Sequence, residues 1–431
     1  MRYLAAAFVL LLTLGAEGAV RAADGSLTMD QAVAIALQRN RDVIAARLEI
    51  RAAELDQIAA AIYPNPVLSY AIGNLTLGAG NPGNTANGAP ANPGVSQTVQ
   101  SIGISDIIDV WSKRGARMRV ADRGLEVRRL QVADALRTIV YAVRSAFADV
   151  EREQSERQLS LDMRGRYDET IRLSRARFGA GEISEAELRK IELEGLKYQT
   201  DVVNADTEYD IARQKLAALL GLGSDAELPE TLANETGPDS NLSLPALVAK
   251  AMAARPDLLA AEQAHAMADA SVSSARREAL PDITLGVTYT HSEFVASGDN
   301  PNTLSVGLSL PLPIFDRNQA NIGRAQLELD RASNDASRLV VSIRQEVAEA
   351  ARRLQRANAL LGIFEGGGMI ERADNSLRVA EKSYKAGAIS LLELLEAQRT
   401  FLTARAEYLR ARYDHGQARV DLRRALGSDF Q

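Results

Sequence analysis

Residues 178–184 read Phe-Gly-Ala-Gly-Glu-Ile-Ser, and residues 384–390 read Tyr-Lys-Ala-Gly-Ala-Ile-Ser. Both stretches place an aromatic residue, a glycine, an isoleucine and a serine at the same spacing. Each lies between two long proline-free segments in which apolar residues recur at three- and four-residue spacing, the pattern of an amphipathic helix. Glycine can adopt the left-handed backbone that ends one helix, and serine can cap the next. Each stretch therefore predicts a tight turn between two long helices.

The likeness between these two stretches extends along the whole chain. The other matched segments occur in the same order: Asn40-Arg41-Asp42-Val43 with Arg255-Pro256-Asp257-Leu258, Tyr63-Pro64-Asn65 with Leu280-Pro281-Asp282, Ser101–Ser105 with Ser305–Ser309, and Leu220-Gly221 with Leu426-Gly427. The offset between matches shortens once, which one insertion in the Gly/Asn/Pro-rich segment of residues 73–94 explains. The chain is a tandem repeat.

Each repeat predicts a helix, two strands around a loop, a long helix, a tight turn and a final helix. The first repeat covers residues 23–240, with helices at about 28–62, 113–178 and 184–220 and strands at about 66–75 and 95–106. The second covers residues 241–431, with helices at about 244–279, 316–384 and 390–426 and strands at about 282–291 and 303–311. Gly366-Gly367-Gly368 interrupts the second long helix, as either a hinge or a packing site.

The first 22 residues have the pattern of a secretory signal peptide. Arg2 precedes an apolar core from Ala5 to Leu14, and Val20-Arg21-Ala22 fits a cleavage site between small residues. No later stretch has the 18 or more apolar residues of a membrane-spanning helix. We therefore expect an exported protein that does not reside in the inner membrane.

Composition excludes several classes of function. The net charge of −6 and the pI near 5.4 argue against a nucleic-acid binder. The chain has no cysteine, which excludes disulfides, thiolate metal sites and a lipid-modified cysteine anchor. Its three histidines have no second histidine at ligand spacing, and no catalytic triad stands out. We expect no metal site, no cofactor and no enzymatic activity.

The four strand segments alternate apolar residues with small or polar ones. Ile283, Leu285, Val287 and Tyr289 alternate with threonine and glycine, and the segment at 303–311 repeats the pattern. This period of two fits either a soluble half-buried sheet or a strand of a membrane barrel. Each run is long enough to cross a bilayer when tilted. Four strands cannot close a barrel, so a membrane sheet would need several chains.

With this repeat and this order of helices and strands, the chain resembles the TolC-like outer-membrane factor family over essentially its whole mature length. The resemblance implies a mostly α fold with a small β part, in which three chains form a 12-stranded outer-membrane barrel and a long helical periplasmic tunnel. Within the family, the likeness is to heavy-metal efflux members of the CzcC type. It rests on Tyr63-Pro64-Asn65-Pro66, on Ser96-Gln97 with Trp111–Arg117, and on Leu310–Asn318. Relatives usually carry Gly-Gly-Lys-Arg where this chain has Val110-Trp111-Ser112-Lys113-Arg114, which weakens the metal assignment.

The resemblance also implies partners. These are two further copies of the chain, a periplasmic membrane-fusion adaptor, an inner-membrane RND pump, outer-membrane lipid, and transported metal cations or small molecules. In relatives, the adaptor docks at the helical tips. The matching residues here are Phe178, Gly181, Ile183 and Ser184, with Tyr384, Gly387, Ile389 and Ser390. A tight turn without any partner explains the same residues.

Acidic residues follow each tip. Glu187 and Glu393 each lie six residues after the tip glycine, and Glu396 lies one turn beyond Glu393. In relatives the matching positions line the closed mouth of the tunnel, where threefold repetition would form negative rings that favour cations. An ordinary solvated helix face is the alternative.

The sequence leaves three functions open. The first is the exit duct of a tripartite heavy-metal efflux system, a passive conduit opened by adaptor docking. The second is a multidrug or type I secretion duct of the same fold, and the third is a soluble periplasmic coiled-coil protein.

Overall fold

A computed structural model describes residues 26–73, 98–223, 228, 230–231, 243–292 and 300–427. The expected signal peptide, most of the loop at 73–94 and Ser96-Gln97 lie outside these residues. In chain order the elements are β1 Ser26–Leu27, α1 Met29–Arg39, α2 Arg41–Ala61, β2 Val67–Gly73, β3 Val99–Ile108, α3 Lys113–Gly179, α4 Glu185–Leu219, β4 Glu230–Thr231, α5 Leu244–Ala254, α6 Pro256–Glu278, β5 Ile283–Ser292, β6 Asn302–Ser309, α7 Gln319–Gly366, α8 Met369–Lys385 and α9 Leu391–Leu426.

The first helix of each repeat is broken, where the sequence predicted one helix at 28–62 and one at 244–279. Asn40 is extended between α1 and α2, and its side-chain oxygen accepts the backbone N–H of Asp42 at 2.8 Å. Arg255 is extended between α5 and α6 because Pro256 disfavours a helical conformation for the residue before it. Helices α1 and α5 therefore end at equivalent positions of the two repeats. The cause is the capping side chain of Asn40 in the first repeat and Pro256 in the second.

At both breaks, the side chain of the extended residue donates a hydrogen bond to the last helix of its own repeat. The Asn40 side chain donates to the carbonyl of Leu219 at 2.8 Å, and the Arg255 guanidinium donates to the carbonyl of Ala425 at 3.4 Å. These carbonyls lie near the ends of α4 and α9. Each helix is followed by a glycine of positive φ, Gly221 or Gly427. A Cβ on Gly221 would lie 2.5 Å from the carbonyl oxygen of Arg39, so only glycine fits this contact.

The third difference from prediction is the helix expected at 316–384. It begins at Gln319, after Asn318 in the left-handed region (φ 59°), and it is interrupted at residues 367–368. Gly368 has φ 57°, and a Cβ on Gly367 would lie 2.7 Å from the carbonyl oxygen of Ile363. The equivalent part of α3 is an unbroken helix of 67 residues. The triple glycine therefore separates α7 from α8 in the second repeat alone.

The strands form one antiparallel sheet in the order β2-β3-β5-β6. The β3–β5 pair joins the two repeats, with Ile104 opposite Val287. Apolar side chains line up across all four strands in continuous rows, such as Leu68, Ile104, Val287 and Val306. These side chains are exposed, Leu68 and Val306 by 72% and 70%, whereas the threonines between them on β5 are half-buried. A soluble half-buried sheet would have the opposite pattern.

The junction between β3 and α3 is held by charged side chains. The Asp109 carboxylate accepts the backbone N–H of Lys113 at 2.7 Å and that of Arg114 at 2.9 Å, which caps α3. The nearly buried Lys113 ammonium lies 2.7 Å from the Asp282 carboxylate at the start of β5. Ser112 has φ 53°, a conformation that favours glycine. Where relatives usually have Gly-Gly-Lys-Arg, this chain therefore has a serine, Ser112, at a backbone position that favours glycine.

The chain divides into two compact units, and each takes segments from both repeats. One comprises the described parts of Met1–Ala46, Asp134–Arg255 and Ser342–Gln431, and the other those of Arg47–Ala133 and Pro256–Val341. The first unit has a core around Phe147, Val150, Leu216 and Leu220, near the short parallel pair β1–β4. None of the helices in the described ranges combines the length and the apolar character needed to cross a membrane.

Candidate functional site

Both predicted helical tips are turns of one type. At the first, the Gly181 N–H donates to the Phe178 carbonyl at 2.9 Å, and the Glu182 N–H donates to the Arg177 carbonyl at 2.9 Å. This pair of bonds around a left-handed glycine (φ 76°) is a Schellman motif. The second tip repeats it, with Gly387 (φ 72°) donating to Tyr384 at 3.0 Å. The two glycines are required by the backbone itself.

A serine begins the helix after each turn. The Ser184 hydroxyl accepts the N–H of Glu187 at 3.2 Å, and the Ser390 hydroxyl accepts the N–H of Glu393 at 3.3 Å. The Glu393 carboxylate accepts the Ser390 N–H at 2.7 Å, so these two residues form a full capping box. Glu393 therefore stabilises the start of α9 within the chain, independently of any role in transport. Glu396 is exposed and Glu187 is half-exposed.

The aromatic residues of the two tips lie in different surroundings. Phe178 is 41% exposed, whereas Tyr384 is 1% exposed. Tyr384 packs in a core with Met163, Tyr167 and Leu394, and its hydroxyl lies 2.9 Å from the Ser174 hydroxyl on α3. The sequence predicted both aromatic residues as equivalent docking residues, and in the single chain only Phe178 is open to a partner.

Arg177 joins the two tips. Its guanidinium donates to the Tyr384 carbonyl at 3.4 Å, lies over the Tyr384 ring at 5.0 Å and pairs with Glu182 at 3.1 Å. Sequence reasoning missed Arg177 and Ser174. Their only signal was position, one residue and one helical turn before Phe178.

The remaining tip residues are accessible. Gly181, Ser184, Gly387 and Ser390 are exposed and Ile183 is half-buried, while Ile389 packs against the Tyr384 core. A Cβ on Gly181 would meet nothing within 4 Å, and one on Gly387 would lie 3.7 Å from the Arg177 guanidinium. Both turns thus present bare backbone on which another helix could approach closely.

Among the described residues, no group of three or more His, Asp or Glu side chains could hold a metal ion. His291 is occupied by Asn302, whose side-chain oxygen lies 2.8 Å from its Nδ1.

Comparison with known proteins agrees with this architecture. The family model described as outer membrane efflux protein matches residues 32–222 and 247–428, which are the two repeats. The cobalt-zinc-cadmium resistance protein CzcC of Cupriavidus metallidurans is 26% identical over 412 residues, 94% of this chain and 91% of CzcC.

The chain is also similar to two other outer-membrane and efflux proteins, one over most of its length and one over about half of it. The pyoverdine export outer membrane protein OpmQ of Pseudomonas putida is 26% identical over 427 residues, 94% of this chain and 86% of OpmQ. The cation efflux system protein CusC of Escherichia coli is 28% identical over 232 residues, 52% of this chain and 50% of CusC.

A solved structure of CusC superposes with a TM-score of 0.73 at 20% identity, over 93% of this chain and 92% of that one. The expected fold class, mostly α with a small β part of the TolC-like type, is confirmed. The protein is an efflux channel of the Gram-negative outer membrane that reaches into the periplasm, a passive conduit and not an enzyme. Because the match spans both repeats, the chain belongs to the outer membrane efflux protein family.

Proposed function

We propose that this channel is the exit duct for heavy-metal cations in a tripartite system with a periplasmic adaptor and an inner-membrane RND pump. The observation that carries the proposal is the similarity to CzcC, a cobalt-zinc-cadmium resistance protein, along 94% of the chain. The similarity to CusC, a cation efflux system protein, supports the same substrate class over about half of it.

The sheet supports a homotrimeric assembly. Its exposed apolar rows suit lipid contact, and in the chain as described β2 and β6 are each paired on one side only. Unpaired strand edges are not stable in a bilayer, where water cannot satisfy the backbone. Three copies, joined β2 to β6, would supply the 12 strands of a closed barrel.

The two tips support adaptor docking. An adaptor hairpin needs a surface on which helices can pack closely, and Gly181 and Gly387 present such a surface at matching places. The glycines are flanked by Phe178, Ile183, Ser184 and Ser390. At the second tip, Tyr384 lies in a buried core and Ile389 packs against that core, which supports the turn. Docking that displaced Arg177 from Tyr384 would remove one of the contacts that join the second tip to α3, while the Ser174–Tyr384 contact would remain.

The acidic residues support passage of cations. Glu396 is exposed one turn into α9, and Glu187 and Glu393 stand at the first turns of α4 and α9. Repeated three times around an axis, these carboxylates would lower the energy of a cation at the mouth and raise that of an anion. These carboxylates attract a cation without coordinating it tightly, and tight coordination would slow its release.

The test is growth of a clean deletion strain across concentration series of Co, Zn, Cd, Ni and Cu salts, with dyes and detergents in parallel. Selective metal sensitivity that the intact gene reverses supports the proposal and identifies the ion. The similarity to OpmQ favours a second candidate, export of small organic molecules. Sensitivity to dyes and detergents without metal sensitivity would establish that candidate and overturn the metal assignment.

A further inference from the structure

We propose that a cavity between α1, α3 and α9 binds a phosphate-type oxyanion through the guanidinium groups of four arginines. All of its walls belong to one compact unit of the chain. The cavity is separate from the helical tips, because Arg412 in its wall lies about 33 Å along α9 from the capping serine Ser390, at 1.5 Å per residue.

The cavity has a volume of about 130 Å³. Met29, the first residue of α1, forms one wall, and Ala148 and Ser155 of α3 form another. Leu409 and Val420 of α9 supply the apolar part of the lining. A single water needs only a small part of this volume, so the cavity has room for a small oxyanion.

The charged part of the lining is mostly basic. Among the described residues, the cavity is lined by one carboxylate, that of Glu151, and by five basic side chains: Arg152, Arg412, His415, Arg419 and Arg423. Arg419 and Arg423 are four residues apart on α9, a spacing at which like charges destabilise a helix. An oxyanion in the cavity would offset this repulsion, and the planar guanidinium group matches the geometry of phosphate and carboxylate oxygens.

Arg152 is held in place on the wall from α3. It pairs with Glu153, and its guanidinium lies over the Tyr413 ring at 5.0 Å. Its Nε is nevertheless buried without a hydrogen-bond partner among the described residues. A buried donor without an acceptor is unfavourable, and a bound oxyanion would bring acceptor oxygens to this residue.

Gly416 also lines the cavity, in the interior of α9. Glycine in a helix interior lowers helix stability relative to alanine. Packing does not require glycine here, since a Cβ on Gly416 would meet nothing within 4 Å. The missing side chain instead leaves space in the cavity, which a larger residue would fill.

The first repeat shows that the shared fold does not demand this lining. After the strands, equivalent positions of the two repeats are 206 residues apart, as the tip glycines Gly181 and Gly387 are. The positions on α4 that correspond to Arg412, Gly416 and Arg423 carry Asp206, Asp210 and Ala217. The basic residues and the glycine are therefore specific to the cavity beside α9.

The test is binding of inorganic phosphate to the purified full chain. The protein is prepared in a non-ionic detergent and a phosphate-free buffer, and phosphate is added in a titration calorimeter, with chloride at equal ionic strength as the reference. We expect heat of binding with phosphate beyond that with chloride. Glycerol 1-phosphate is titrated in parallel, and its binding would show that the site also accepts a phosphate ester.

Two kinds of variant locate the anion. Arg412→Gln removes one guanidinium from the wall, and we expect at least about tenfold weaker binding. Arg410→Gln is its control, since Arg410 is exposed on the same helix and does not line the cavity. Gly416→Leu fills the cavity and keeps every arginine, and it should abolish binding. Leucine favours a helix more than glycine does, so this variant is expected to fold. Gly416→Ala adds one methyl group and should bind nearly as well as wild type.

Three results would overturn the proposal. The first is a wild-type chain that gives the same heat with phosphate as with chloride. The second is equal weakening by Arg410→Gln and Arg412→Gln, which would show attraction to the general charge of α9. The third is undiminished binding by Gly416→Leu, which would place the anion outside the cavity.

Discussion

The side-chain amide of Asn40 donates to the carbonyl of Leu219 at 2.8 Å, across 179 positions of the chain. The same buried side chain accepts the N–H groups of Asp42 and Val43, so one residue caps the end of α4 and the start of α2. We expect Asn40→Ala to lower the free energy of unfolding by roughly 2–4 kcal/mol, because a partly buried carbonyl at the end of α4 and the start of α2 both lose their partner. The midpoint of thermal unfolding, followed by circular dichroism in detergent, measures this. The control is the exposed Arg41→Ala, and equal midpoints for the two variants would contradict the prediction.

The Tyr384–Ser174 contact gives a second prediction. Tyr384→Phe leaves the buried Ser174 hydroxyl without its partner at 2.9 Å, and we expect a loss of about 1–3 kcal/mol. The double variant Tyr384→Phe, Ser174→Ala removes both polar groups and should recover part of that loss. Additive losses in this double-mutant cycle would show that the two hydroxyls do not act as a pair.

The tip glycine tests adaptor docking. Gly387→Leu and Gly387→Ala carry the same backbone strain at φ 72°, roughly 1–2 kcal/mol, but they differ in bulk on the docking surface. We expect Gly387→Leu to abolish efflux while trimers still assemble, with Gly387→Ala closer to wild type. The measurements are metal tolerance of the complemented deletion strain and trimer mass. Normal efflux with leucine in place would exclude docking at this turn.

The triple glycine offers neighbouring sites with opposite expectations. A Cβ on Gly366 meets nothing within 4 Å, so Gly366→Ala should stabilise the chain by up to about 1 kcal/mol through helix propensity. A Cβ on Gly367 would lie 2.7 Å from the Ile363 carbonyl oxygen, so Gly367→Ala should destabilise it. Thermal midpoints of the two variants decide the point. A stabilising Gly367→Ala would show that α7 and α8 can run on as one helix.

The buried carboxyl of Glu153 predicts a pH dependence. Burial raises the pKa of Glu153 above its usual 4.5, and the nearby carboxylates of Glu156, Glu208 and Asp149 raise this pKa further while Arg152 lowers it. The folded chain therefore binds this proton more tightly than the unfolded chain does. The stability cost of the charged form is present near neutral pH and is relieved as the pH falls through the raised pKa.

Glu153→Gln removes that titration. We expect the thermal midpoint of the variant minus that of wild type to fall as the pH is lowered from about 7.5 to about 4.5. A difference that stays constant over this range would show that Glu153 has an ordinary pKa in the folded chain.

Much of the architecture could be predicted from local patterns. The order of elements within each repeat follows from the three-and-four spacing of the helices, the alternation of the strands and the turn residues of 178–184 and 384–390. Pro256 is a local signal for the break at Arg255, since a helical conformation is disfavoured for the residue before a proline. The break at Asn40 could not be predicted in this way, because a helical pattern of apolar residues continues across it. Asn40 is extended since its side chain bonds to Leu219, a residue that only the folded chain brings near.

The sequence by itself determined the repeat, the helical hairpins and the alternating strands, because backbone propensity and side-chain periodicity act over neighbouring residues. Only the tertiary structure decided that the apolar row of the sheet faces outward, since alternation is the same for a sheet that buries that row and one that exposes it. It also decided that Tyr384 is buried and Phe178 exposed, although both stand at the same position of their turns. The difference arises because α3 lies against α9 within one chain, whereas the equivalent face of α4, with Val203 62% exposed, is uncovered among the residues that the structure describes.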